Sequence, residues 1–284
     1  MKILIIGSGG MLGHITTVYL RELGFDVTDI SKYEKVNEDT LLLDVLDSDI
    51  INLEYLSGYD VIINTAAILV GPSEKDKPGA IKLNAWFPHR LESLLENTNT
   101  KIIQISTDGV FNGSNAPYNE NSIPDTLTFY GKAKVLGELG NAKDLTVRAS
   151  FVGPCMHVNG TGLFHWFVQQ KGTINGYGSV MFNAVTTLEF AKFVDKAIQD
   201  DISGVYHLGA AETISKAEFL RKVQSHFNID DIDIKENHEL KTDNTVVSLR
   251  DDISYTSKTY DEMLIELKKW IFDHKELYSH YDFM

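Results

Sequence analysis

The sequence predicts an α/β protein: a Rossmann doubly wound parallel sheet with a smaller, discontinuous C-terminal substrate-binding part. Three observations lead there. An apolar run, Ile3 to Ile6, opens the chain. The glycine cluster Gly7-Ser8-Gly9-Gly10-Met11-Leu12-Gly13 follows it directly. Short apolar runs then alternate with amphipathic stretches through the first half.

Taken in order, strands are expected near 2–6, 25–30, 40–43, 60–65, 101–106 and 145–149, and helices near 11–23, 49–56, 79–97 and 128–141. From about residue 150 the rhythm gives way to Gly-rich loops, such as Gly160-Thr161-Gly162 and Asn175-Gly176-Tyr177-Gly178, with helices between them. Residues 1–150 therefore read as an NAD(P)-binding Rossmann domain that also takes in about 180–205, and 151–284 mainly as a substrate-binding part. Thr186-x-x-Glu189 and Ser215-x-x-Glu218 fit capping boxes at helix starts. Leu188, Ala191, Val194 and Ile198 form one apolar face, and Phe219, Leu220, Val223 and Phe227 form another. A third stripe, Met263, Leu264, Leu267, Trp270 and Ile271, recurs at helical spacing and reads as core.

Composition narrows the function classes. A chain of 284 residues with 43% hydrophobic and 23% charged residues is long and apolar enough for a large core. Its 40 acidic against 26 basic residues give a net charge of -14, with no basic stripe to neutralise a phosphate backbone, so nucleic acid is excluded as an expected partner. A small anion remains compatible, because local donors outweigh a distant, screened charge. The single Cys155 rules out a disulfide framework and reads as a packing residue. No apolar run reaches the length of a signal segment or membrane span, and a cytoplasmic protein is expected. Nine histidines show no metal-ligand spacing, so no metal is expected. His274 and His280 are expected to face solvent.

The glycine cluster opens a helix right behind a strand. There a tight turn lets the backbone approach a pyrophosphate, whose charge the helix N-terminal N–H groups favour. Gly7, Gly9, Gly10, Met11, Leu12 and Gly13 are the candidate cradle. At the end of the second strand a carboxylate would select the free adenosine ribose and a cation its 2'-phosphate. Ser31 and Lys32 stand there, favouring NADPH, with NADH as the alternative if the strand ends sooner and Asp29 takes that place. Asp44, with Val45 beside it, is placed to receive the adenine amino group; a solvated acidic turn containing Asp44 and Asp47 explains the same residues.

Tyr130-Gly131-Lys132-Ala133-Lys134 puts a phenol and an ammonium one helical turn apart. Ser106-Thr107-Asp108 closes the strand before it, at the sheet end where sites form in open α/β folds. Hydride delivery to a carbonyl carbon creates an alkoxide that needs a proton. Tyr130 is the expected acid, with Lys134 expected to lower its pKa and to hold the nicotinamide ribose. Thr107 is expected to orient the carbonyl oxygen.

With these residues in view, the chain resembles the extended short-chain dehydrogenase/reductases, and within them the dTDP-4-dehydrorhamnose reductase family of nucleotide-sugar reductases. The resemblance runs over nearly the whole chain. It is carried by Lys2 to His14, Ile62-Ile63-Asn64-Thr65-Ala66-Ala67, Leu83-Asn84-Ala85, Ser106-Thr107-Asp108-Gly109-Val110-Phe111 and Tyr130 to Glu138. It implies a catalytic set of Thr107, Tyr130 and Lys134 with Asp108 ordering the substrate, and Ala66 and Ala67 along the nicotinamide path. It implies further that Asn84 supports the active-site backbone or a water, with a purely structural buried Asn as the competing reading. Arg148 and Asn183 become candidate substrate contacts, and relatives often pair as homodimers through the Tyr130 helix, with packing of Tyr130 to Asn141 within one chain as the equal alternative. Gly109 stands where such proteins often carry an aromatic residue, and Asn244 to Tyr255 matches the family's C-terminal pattern poorly.

The implied activity is NAD(P)H-dependent reduction of a nucleotide-linked 4-keto-6-deoxy sugar, supplying precursors for a surface polysaccharide. The competing readings are an epimerase or dehydratase with tightly held NAD, and a non-catalytic regulatory subunit of the same fold.

Overall fold

The structure, a computed structural model, describes residues 1–283. Its centre is a seven-stranded sheet made of β1 (Lys2–Ile6), β2 (Asp26–Ser31), β3 (Leu41–Leu42), β4 (Val61–Asn64), β5 (Lys101–Ile105), β6 (Leu145–Arg148) and β7 (Gly204–His207). The order is β7-β6-β5-β4-β1-β2-β3, with every neighbouring pair parallel. Chain direction across the sheet reverses between β1 and β4, and the crevice at their C-terminal ends is where such folds bind ligands.

Both faces of this sheet are covered, so its central strands are apolar along their whole length rather than alternately. Ile3, Ile5, Val61, Ile63, Ile103, Ile105, Leu145 and Val147 point into one core. There they meet α1 (Met11–Glu22) through Ile15 and Leu20, and the long helix Thr187–Gln199 through Phe190, Ala191 and Val194. Leu4, Ile6, Ile30, Ile62 and Ile102 point the other way, onto Leu56 and the helix Phe87–Leu95.

All six expected strands are present, with β3 reduced to two exposed residues. The strand β7 was not expected. It is only four residues long and follows a helix, so no alternation announces it, yet it pairs with β6 from Gly204 opposite Leu145 to His207 opposite Arg148.

The C-terminal part adds small sheets. In one, Val180–Phe182 is flanked by Ile214–Ser215 and Thr242–Asp243. The Ser215 capping box is complete, whereas at Thr186 only half of one forms: Thr186 accepts the Glu189 N–H, but the Glu189 carboxylate turns to the Lys258 N–H. A second complete box, Thr259 with Glu262, starts the helix Tyr260–Asp273, whose expected core stripe is buried.

Two histidines expected in solvent are not there. His274 stacks on Trp270 and bonds Glu22 and the Trp270 carbonyl, and His280 is half-buried against Tyr281. Both belong to a C-terminal segment that folds back onto α1. Tyr278 reaches His14 at 2.9 Å, and Trp270 donates to the same hydroxyl at 3.2 Å.

The helix expected over 79–97 is interrupted: Lys77–Ala80 passes into a π turn, Ile81–Trp86, before Phe87–Leu95 resumes the α pattern. The helix expected over 128–141 is α2 (Phe129–Leu136) and stops where Gly137 lies against the π turn. A Cβ on Gly137 would run into the Asn84 carbonyl. Gly137→Ala should therefore cost about 1–3 kcal/mol by overpacking, read as a lower urea midpoint with unchanged slope. An unshifted midpoint would mean that this contact does not fix the helix.

Candidate functional site

The glycine turn is shaped for a phosphate. Gly7 has φ +89°, and a Cβ there would lie 2.7 Å from the Ala66 nitrogen. A Cβ on Gly9 would strike the Ser31 hydroxyl, and one on Gly13 the Gly7 carbonyl. The N-cap Gly10 offers no side-chain cap, and the first turn of α1 holds no acid, so its N–H groups are left for an anionic ligand. His14 holds the turn from below, Nδ1 to the Gly10 carbonyl at 2.9 Å, and burial lowers its pKa to about 4, keeping it neutral.

Ser31 ends β2 beside Gly9. Asp29 is removed from contention for the ribose: it is fully buried and paired with Arg21 at 2.6 Å. Lys32 is half exposed and pairs with Asp44 at 2.6 Å, a hydrogen bond that holds the ammonium charged well above the usual lysine range. Asp44 also accepts the Leu46 N–H at 3.0 Å, so both its oxygens have partners within the chain and the adenine contact is not prepared. Val45 packs with Ala66 in the second core.

Gly131 permits a close approach, since a Cβ there would strike the Gly109 carbonyl; without one, α2 lies directly on the Thr107-Asp108-Gly109 turn. Thr107 accepts the Gly109 N–H at 3.0 Å and donates to the Asp108 carboxylate at 3.2 Å. Burial raises the Asp108 carboxyl above its ordinary value, against the pull of Thr107 and Lys216. The Tyr130 phenol is pushed up to about 12 by burial and the nearby Asp108 charge, with Thr107 working the other way.

The expectation that Lys134 lowers the Tyr130 pKa is not met. Lys134 is 3% exposed, and its ammonium donates to the Ile105 carbonyl at 2.5 Å. Burial in turn lowers its own pKa to about 8, offset in part by Glu138 one turn on.

Thr107, Asp108, Tyr130 and Lys134 line one cleft of about 870 Å³ together with Gly10, Met11 and Leu12 at the start of α1, Ala67, and residues of the C-terminal part. Asn84 does not reach it. Fully buried in the π turn, it grips Ile68 through both amide atoms, each at 2.8 Å, and so fixes the loop that carries Ala66 and Ala67.

Arg148 and Asn183 are corrections. Arg148 is turned inward, bidentate on Glu138 at 2.8 and 2.7 Å, and Glu138 also takes the Ser106 hydroxyl at 2.6 Å. Neither oxygen of Glu138 nor the fork of Arg148 is left for a substrate. Asn183 pins Val246, accepting its N–H at 3.0 Å and donating to its carbonyl at 2.8 Å.

Residues that the sequence did not single out complete the far wall: Met181, Lys216, Thr242 and Asn244. Asn244 reaches the Phe111 carbonyl at 3.2 Å. It belongs to the stretch that matches the resembled family poorly, and nothing local marked it. Among the described residues no cluster of three His, Cys, Asp or Glu side chains is arranged to hold a metal, and no helix is long and apolar enough to cross a membrane.

The family model described as the RmlD substrate binding domain matches residues 1–280. The chain is 25% identical over 240 residues to the spore coat polysaccharide biosynthesis protein SpsK of Bacillus subtilis, covering 81% of this chain and 80% of that one. It is 27% identical over 247 residues to the methionine adenosyltransferase 2 subunit beta of Danio rerio, covering 80% and 74%. Its fold matches the dTDP-4-dehydrorhamnose reductase of Bacillus anthracis in complex with NADP, with a TM-score of 0.77 at 20% identity, covering 95% and 99%.

The buried ammonium gives a test without any ligand. Lys134 titrates near 8 when folded and near 10.5 when unfolded, so the unfolded chain binds more protons between these values and stability should rise with pH there. The melting temperature of wild type should climb relative to Lys134→Met from about pH 8 to about pH 10. Parallel curves would show that Lys134 is not a strained cation.

Proposed function

Because the chain belongs to the RmlD substrate binding domain family, we propose that it is an NADPH-dependent reductase of a nucleotide-linked 4-keto-6-deoxy sugar, of the dTDP-4-dehydrorhamnose reductase kind. The observation that carries this reading is the convergence of Thr107, Tyr130 and Lys134 in a cleft that begins at the bare N-terminus of α1.

The cradle fits a dinucleotide. Its glycines stand where a Cβ would collide, its first helical turn carries no acid, and the charged Lys32, just past the end of β2, would meet an adenosine 2'-phosphate on parting from Asp44. NADP in the Bacillus anthracis reductase supports the same choice. Bound there, the cofactor supplies hydride to the sugar ketone. Tyr130 gives its phenolic proton to the oxygen that becomes a hydroxyl. A phenol near 12 is protonated throughout the neutral range, and an alkoxide is the stronger base. Thr107 turns its hydroxyl from Asp108 to the carbonyl oxygen and so fixes its direction. Lys134 holds the ribose hydroxyls when its ammonium leaves the Ile105 carbonyl. The name of SpsK, a spore coat polysaccharide biosynthesis protein, supports a place in the making of a surface polysaccharide.

A regulatory subunit is the second reading, favoured by the likeness to methionine adenosyltransferase beta subunits. One assay separates the two. Wild type supplied with a dTDP-linked 4-keto-6-deoxyhexose should oxidise NADPH in preference to NADH. Tyr130→Phe should lower turnover by about 10²–10⁴-fold, the span of general-acid contributions, while still binding NADPH. Full activity in the variant overturns the mechanism, and NADPH binding without any oxidation by wild type favours the regulatory subunit.

A further inference from the structure

We infer that Lys216 seats the diphosphate of the nucleotide-linked substrate. The inference rests on the proposed sugar-nucleotide reading and assigns a residue on the wall that the C-terminal part contributes to the cleft.

Charge in the cleft is sparse. Its lining holds two cations, Lys134 and Lys216, and one acid, Asp108. Lys134 is committed to the Ile105 carbonyl and lies beside Tyr130, at the reacting end. Lys216 has no hydrogen-bond or ion-pair partner among the described residues; it shares the cleft lining with Asp108, whose carboxyl feels its charge. The Asp108 carboxylate accepts the Thr107 hydroxyl at 3.2 Å and makes no ion pair with Lys216, so the Lys216 ammonium is left to an incoming group.

Its position in the fold argues against a merely structural role. Lys216 is the first residue of the helix Lys216–Phe227, directly after the cap Ser215. A cation at that end meets the positive pole of its own helix, an arrangement unfavourable by about 0.3–1 kcal/mol unless an anion is near. The helix is already capped by Ser215 and Glu218, so Lys216 adds nothing to its start. The strand just before it, Ile214–Ser215, is antiparallel to Val180–Phe182, with Ser215 opposite Met181, and this register brings Lys216 to the same wall as Met181 and Thr242.

The chemistry of the substrate class calls for such a group. With the ketone held at Thr107 and Tyr130, the anomeric carbon lies across the ring, and the diphosphate attached to it points away from the reacting end. A chain of net charge -14 repels that group unless a cation meets it locally. Lysine does so as a point charge, with no demand on phosphate orientation.

The test is calorimetric titration of dTDP and, separately, of NADPH. Lys216→Ala should weaken dTDP by about tenfold or more, the scale of a lost charge-assisted hydrogen bond. Lys216→Arg should stay within about threefold of wild type, because it keeps the charge. NADPH affinity should not change in either variant, and the melting temperature should stay level for Lys216→Arg and hold or rise slightly for Lys216→Ala, which removes a cation from the positive end of its helix. If wild type binds dTDP and Lys216→Ala binds it equally well, the assignment of Lys216 is overturned while the sugar-nucleotide reading stands. If wild type holds NADPH but takes no dTDP, the sugar-nucleotide reading falls and the assignment with it.

Discussion

Everything functional in this molecule depends on how closely the backbone can approach itself at the C-terminal ends of β1 and β4. Parallel pairing sets these two strands side by side, and the chain leaves each of them in opposite directions across the sheet. Gly7 backs onto Ala66, and Gly13 lies over the Gly7 carbonyl. The same economy recurs in α2, where Gly131 lies on Gly109 and Gly137 on the Asn84 carbonyl. In each case the absence of a side chain sets the separation, and the start of α1 and Tyr130 line one cleft.

That cleft is held from outside by groups that do not enter it. Asn84 fixes the loop after β4, and Glu138 and Arg148 tie the end of β5 to β6. Arg148 is stacked at 5.5 Å on Phe111, and its Nη1 meets His207 on β7 at 3.3 Å. A buried pair so fully hydrogen-bonded is costly to break at one partner, which leaves the other charge unpaired. The unexpected strand β7 thus matters to the site, because it supplies the far side of this network.

The legible parts of the sequence were those whose meaning is local. A strand followed by Gly7 to Gly13, the close of β5 at Ser106-Thr107-Asp108, and a phenol one turn before an ammonium each declare themselves within a dozen residues. What stayed hidden depends on partners far apart in the chain. Arg148 and Asn183 looked available for substrate, but Glu138 and Val246 occupy them, and no local pattern announces a bidentate partner. His14 looked like one histidine of nine until Tyr278, 264 residues on, proved to be its partner. Lys216 was hidden for another reason, since a lysine after a capped serine reads as a solvated helix start until the fold turns it toward the cleft. The expected help of Lys134 to Tyr130 failed on burial: the ammonium satisfies itself on a carbonyl, and the phenol answers to Asp108 instead.

The central claim is that this cleft brings a sugar ketone and a reduced nicotinamide together and that Tyr130 completes the transfer. The most direct measurement follows the hydrogen itself. NADPH labelled with deuterium at the transferable position of nicotinamide C4 is incubated with the protein and a dTDP-linked 4-keto-6-deoxyhexose, and the sugar product is examined by mass spectrometry and NMR. The account predicts deuterium on the carbon that was the ketone, in step with NADPH oxidised. Reduced sugar without deuterium, or a changed sugar with no net oxidation of NADPH, would contradict it.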